Sequence, residues 1–137
     1  MNRRELEKSA LEAATRCLEK RNHIALTDVF VEMGKLTPEA CQTWRRGEVP
    51  YLEQVIDLNL AQITTVCRAI RSSAGRGGLK ASWTAYLSSG ETPRHTLRFT
   101  KSGDPAMERH WATHYLRAKA RMGSPARSEF GGPASRA

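Results

Sequence analysis

The sequence predicts an α+β domain that is mostly helical, with four N-terminal helices, one β-hairpin, a closing C-terminal helix and a disordered tail. Three observations predict it. Apolar residues recur at helical spacing through the first half, broken by Gly34 and Gly47. The period changes to two between residues 81 and 101. Helical spacing returns after Asp104-Pro105, then gives way to a run rich in Gly, Pro, Ser and Ala.

Residues 4–21 form the first helix, with Leu6, Ala10, Ala13, Cys17 and Leu18 on one face and Glu5, Glu12, Arg16 and Lys20 on the other. A short second helix runs from Thr27 or Asp28 to Met33 and stops at Gly34, which enters the left-handed region without a Cβ clash. In "KLTPEACQTWRRG" Thr37 caps a third helix, Pro38 takes its first position, Glu39 suits its dipole and Gly47 ends it. A fourth helix is expected from Pro50 to Arg71 on the stripe Leu52, Val55, Ile56, Ile63, Val66, Cys67 and Ile70. Asn59 interrupts that stripe, and buried asparagine needs hydrogen-bond partners.

"ASWTAYLSS" and "HTLRFTK" alternate as two hairpin strands around the loop "GETPR". The alternation places Trp83, Leu87, Leu97 and Phe99 on one face, and Tyr86 and Arg98 on the other. The last helix is capped by Asp104, opened by Pro105, and carries Met107, Trp111, His114, Tyr115 and Ala118 on one face. The domain spans residues 1–122 and the tail residues 123–137.

The first twenty residues hold no apolar leader core, and no apolar run is long enough to span a membrane. Cys17, Cys41 and Cys67 are odd in number, widely spaced and set in helical patterns, which points to reduced thiols in a cytoplasmic protein. No cofactor is indicated. The net charge of +8 is uneven. Residues 1–60 hold nine Lys/Arg against ten Asp/Glu, whereas residues 61–137 hold thirteen against four. That asymmetry points to a polyanionic partner, nucleic acid first.

Three constellations bear on function. Gly34, then Trp44-Arg45-Arg46-Gly47, then Pro50 follow the layout of a Cro/C1-repressor-type helix-turn-helix, which residues 24–60 resemble. The resemblance implies that residues 38–46 lie in a major groove, with Glu39, Gln42, Thr43 and Arg46 facing bases and Arg45 beside them. Read without it, the segment is a helix corner: Trp44 is core and the arginines complement a helix C-terminus. The segment is also near neutral, whereas duplex affinity comes mostly from phosphate contacts.

The second constellation is the basic hairpin with its flanks: Arg68, Arg71, Arg76 and Lys80, then Tyr86, Arg94, Arg98 and Lys101. Such a hairpin suits a duplex, and its aromatic residues also suit unpaired RNA. The third is "KSGDPAMERHWATHY", where His110 and His114 stand i,i+4. A metal-dependent nuclease can be built on such a pair, but no glutamate motif accompanies it, and His114 also fits an apolar helix face.

The span Glu5–Leu116 further resembles a set of short bacterial proteins through "WRRGEVPYLE", "LKASWTAY", "LRFTKSGDP" and "THY". That resemblance implies a bacterial single-domain protein with its domain end near Arg117, and nothing about its chemistry. The sequence therefore points to a nucleic-acid-binding protein, DNA ahead of RNA, a small regulator rather than an enzyme. An adaptor for an acidic protein and a metal nuclease are the alternatives.

Overall fold

The computed structural model describes residues 2–83, 85–89 and 95–117. Its first helix, α1 (Arg3–Arg21), starts on a capping box in which Asn2 Oδ1 accepts from Glu5 N at 2.8 Å and Glu5 Oε1 accepts from Asn2 N at 3.0 Å. It ends at Asn22, whose φ of 63° is left-handed. A short strand, β1 (His23–Ala25), leads into α2 (Leu26–Glu32), and a turn through Gly34 leads to α3 (Pro38–Arg45). Thr37 caps α3 by accepting from Ala40 N at 3.0 Å, and Pro38 opens it. Glu32 locks α2 onto α1 by accepting from Arg16 at 3.1 Å and Lys20 at 2.8 Å, and these partners hold its carboxyl below the usual carboxylate range.

The fourth helix differs from expectation. A 3₁₀ turn (Leu52–Val55) comes first, and α4 (Leu60–Arg76) begins only after Asn59. The turn is drawn out of helical register because Leu52 N and Glu53 N donate to Arg98 O and Phe99 O, at 3.1 and 2.9 Å. Asn59 is not a buried interruption but the N-cap of α4, paired with Gln62 in a second capping box. The small residues Ala10, Ala13 and Ala14 on α1 let α4 pack closely with Ile63, Val66 and Ile70. No helix among the described residues is long and apolar enough to cross a membrane.

The α+β class is as the sequence predicts, but the strands pair differently. β2 (Lys80–Trp83) does not continue into a two-stranded hairpin. Residues 85–89 and 95–101 meet through one bridge, Leu87 with Thr96, flanked by Ser88 N to His95 O at 2.8 Å and Leu97 N to Tyr86 O at 2.6 Å. The closing helix is short: α5 (Pro105–Ala112) ends where Thr113 turns extended, and Thr113–Leu116 form strand β3. β-branched Thr113 and aromatic Tyr115 suit a pleated strand better than a helix. The antiparallel sheet has the order β1-β3-β2. The loop tip with Arg94, the domain boundary at 122 and the tail lie outside the described residues.

The core is a chain of aromatic rings. Trp44 lies 5.1 Å from Phe99, Phe99 lies 6.0 Å from Trp111, and Trp111 lies 6.1 Å from Phe30, all tilted. Trp44 Nε1 donates to Arg98 O at 2.8 Å. Trp111 Nε1 is buried with no hydrogen-bond partner among the described residues. Gly47 follows α3 with φ 82°, and a Cβ there would stand 2.8 Å from the His95 ring. Glycine is therefore required by both conformation and space.

Glu108 of α5 holds the segment behind these rings. Its carboxylate accepts from Phe99 N at 2.9 Å, Thr100 N at 2.8 Å and Thr100 Oγ1 at 2.6 Å. Glutamine in its place keeps one acceptor oxygen and turns the other into an NH2 donor, so at least one of these bonds is lost and the rest lose their charge assistance; hydrogen bonds to charged groups contribute about 1.5–3 kcal/mol each. Glu108→Gln is expected to lower the unfolding free energy by about 1–3 kcal/mol in urea denaturation, without shortening the α4 or α1 helical signal.

Candidate functional site

The sheet has two faces, and the functional side chains divide between them. Alternate residues of a strand point to opposite sides, and the register puts Thr113, Tyr115, Ala81, Trp83 and Ile24 on one face. His114, Leu116, Lys80, Ser82, His23 and Ala25 share the other.

On the first face α4, β2, β3 and α5 border a shallow open groove of about 510 Å³. Arg71 and Gly75 stand on its α4 side, Arg109 and His110 on its α5 side, and Ala81 and Tyr115 form its floor. None of its lining residues is acidic. Arg109 carries its guanidinium 5.4 Å from the centroid of the Trp83 ring. Trp83 is 54% exposed, while Trp44 and Trp111 are 0% and 1% exposed. Burial pushes the Tyr115 phenol up, against the opposing pull of the Arg71 charge. No salt bridge engages Arg68, Arg71 or Arg109 among the described residues.

On the second face a polar chain runs from α3 to β1. The Arg45 guanidinium lies 5.1 Å from the Tyr86 ring centroid. Tyr86 Oη and His114 Nε2 share a hydrogen bond of 2.6 Å. His114 stacks on His23 at 5.6 Å, and His23 Nδ1–H donates to Arg21 O at 3.1 Å. Burial lowers the His114 pKa from the usual 6.5, and the neighbouring His23 lowers it further. Burial raises Tyr86. Thr27 Oγ1 lies close enough to favour the Tyr86 phenolate, yet it is buried without a hydrogen bond of good geometry. The thiols are less acidic than usual, burial pushing Cys17 up to about 11 and Cys67 up to about 12.

The structure disperses the residues that the sequence groups together. Gln42 is exposed on α3. Thr43 Oγ1 donates to Glu39 O at 2.9 Å and accepts from Arg46 Nη2 at 3.5 Å. Arg46 donates to both Glu48 oxygens, at 3.2 and 3.3 Å. Arg98 donates to Thr100 O at 2.9 Å and to Lys101 O, with its guanidinium over Tyr51, so it ties down its own turn. Lys101 and Lys80 are exposed. Arg76 donates to Ser72 Oγ at 2.7 Å. Arg45 and Arg71 therefore stand on opposite faces of the sheet, and of the named residues only Arg71 borders the groove.

Two expectations about facing are overturned. Trp83 and Leu87, expected on one face with Leu97 and Phe99, are 54% and 53% exposed while Leu97 and Phe99 are buried, and Tyr86, expected on the other face, packs edge-on to Phe99 at 5.2 Å. The reason is pairing: Trp83 ends a strand registered to β3, so its side is set by Thr113 and not by the strand containing Leu97. His110 and His114 do not share a helix face. His110 borders the groove from α5, while His114 lies on β3 against Tyr86. Among the described residues no group of three or more His, Cys, Asp or Glu gathers as a metal site.

Sequence reasoning missed Arg109, Asp28 and His23. Arg109 sits 26 positions from Trp83, and no local signal joins them. The Tyr86–His114 bond spans 28 positions.

His114 makes the fold sensitive to acid. Its folded pKa lies below the unfolded value of 6.5, so between the two the unfolded chain binds more protons. Stability is expected to be level above that value and to fall as pH drops below it. His114→Gln should flatten this part of the profile measured by urea denaturation. His23→Gln should raise the His114 pKa read from imidazole proton shifts, because it removes a like charge while leaving the Asp28 and Arg45 fields in place.

In comparisons with protein-family models, with curated proteins and with solved structures, nothing matches this chain.

Proposed function

We propose that the protein binds nucleic acid, DNA ahead of RNA, on the face formed by α4, β2 and α5. The observation that carries this reading is the groove itself. Arg71 and Arg109 border it from opposite sides, no carboxylate lines it among the described residues, and Arg109 lies against the exposed Trp83 ring. Unpaired guanidinium groups on a surface are held apart by repulsion and compensated by an anion. The excess of thirteen Lys/Arg over four Asp/Glu in residues 61–137 supplies the wider field around it.

The α2–turn–α3 unit has a secondary part in this reading. Gln42 is free to reach a base edge, but Arg46 is already held by Glu48. Breaking that pair to reach a phosphate offsets part of the gain. Affinity then rests on arginines without a carboxylate partner.

The test is a binding titration of labelled DNA at several salt concentrations. The observed association constant should fall steeply with salt, and Arg71→Ala should reduce the log–log slope by about 0.7–0.9 for one lost phosphate contact. Arg46→Ala should change it less. Gly75→Glu offers a second arm, because a Cβ at Gly75 meets nothing within 4 Å. The new side chain fits without disturbing α4 and sets a carboxylate in the groove, so binding should weaken while thermal stability is kept. Salt-independent association, or no association in low salt, overturns the proposal.

A further inference from the structure

The geometry points to an unpaired strand as the ligand of this groove, with one base stacked on Trp83. The inference rests on the nucleic-acid reading and names the form of nucleic acid. Three observations carry it.

Trp83 is the first. A large apolar ring left more than half exposed at the end of a strand forgoes the burial that the other two tryptophans obtain. Exposed aromatic rings beside cations are the platform on which bases stack, since every base has a π-face. In a duplex the base faces are already covered by their neighbours, so such a ring finds a partner only where a base is free.

The second is Arg109. Its guanidinium lies over the Trp83 ring at 5.4 Å and so holds that ring in one orientation. A ring fixed on one side and open elsewhere loses little freedom when a base settles on it. The same guanidinium carries the charge that a neighbouring phosphate needs.

Scale is the third. A groove of about 510 Å³ lies within the range of clefts that enclose one small molecule, roughly 300–1,000 Å³, which suits a nucleotide or two and not the breadth of a duplex. Its floor and one wall are low where Ala81 and Gly75 stand, and a Cβ at Gly75 would meet nothing within 4 Å. β2 is an outer strand of the sheet, and among the described residues its outer backbone edge has no strand partner.

The experiment titrates the full chain with oligo-dT, with oligo-rU and with a DNA duplex of equal length, following tryptophan emission and anisotropy together. Trp44 and Trp111 are buried, so quenching by a stacked base reports on Trp83. The single strands are expected to bind more tightly than the duplex and to quench emission. Trp83→Ala should weaken single-strand binding about 5- to 150-fold, abolish the quench and leave the salt slope unchanged. Trp83→Phe should recover part of the affinity. Circular dichroism and thermal melting should be those of the parent, because the side chain lies outside the core. Binding of either oligo-dT or oligo-rU more tightly than the duplex supports the inference. Equal affinity for duplex and single strand, or wild-type single-strand binding by Trp83→Ala, overturns the inference while salt-dependent binding leaves the nucleic-acid reading standing. No binding of any of the three at low salt overturns both.

Discussion

Among the described residues, both pairings of the three-stranded sheet pass through Thr113–Leu116. β1 and β2 lie far apart in the chain and do not pair with each other; each is hydrogen-bonded to β3 alone. The sheet therefore exists only once the C-terminal segment inserts between them. That insertion requires α5 to stop at Ala112, and it does so where β-branched Thr113 takes an extended backbone. Trp111 and Ala112, buried just before the strand, anchor it to Phe30 and Phe99. Because side chains alternate along β3, one short strand supplies both functional faces: Thr113 and Tyr115 floor the groove, and His114 reaches Tyr86.

The second consequence of this frame concerns charge. A count of basic residues treats every arginine as available, but the fold assigns many of them. Arg16 and Arg21 join α1 to acids on α2, Arg46 meets Glu48, Arg98 closes its own turn and Arg76 leans on Ser72. Arg45 is spent against an aromatic ring next to a buried polar chain. What remains beside a concave surface is Arg71 and Arg109, with Arg68 one turn earlier on α4. These arginines lie away from the α3 corner, on the other side of the sheet, and Arg109 there meets Trp83, whose exposure the alternating pattern conceals.

Much of the local structure is legible in the residues themselves. Thr37, Pro38, Gly34, Gly47, Asp104 and Pro105 act through bonds and backbone angles within a few positions of themselves, and each stands in the role its type implies. The Arg46–Glu48 pair is two residues apart, so that restraint too was open to a sequence reading. Asn59 shows the ambiguity of a polar residue in an apolar stripe: the same residue reads as an interruption or as a cap, and the Arg98 and Phe99 carbonyls decide it by pulling Leu52 and Glu53 away. The histidine pair shows the limit of periodicity, since i,i+4 spacing has meaning only if the segment is a helix.

By itself, the sequence determined the α+β class, the α1, α2, α3 and α4 helical cores, most helix caps, and the basic bias of the second half. These follow from spacing, capping and composition, which act over a turn of helix or less. Only the tertiary structure decided which strands pair, on which side Trp83 lies, and which arginines stay without a carboxylate partner among the described residues. Those outcomes depend on contacts between residues tens of positions apart, such as Ser82 with His114 and Arg109 with Trp83. Their physical cause is that β1 and β2, distant in the chain, each pair with the one segment, Thr113–Leu116, that completes the sheet.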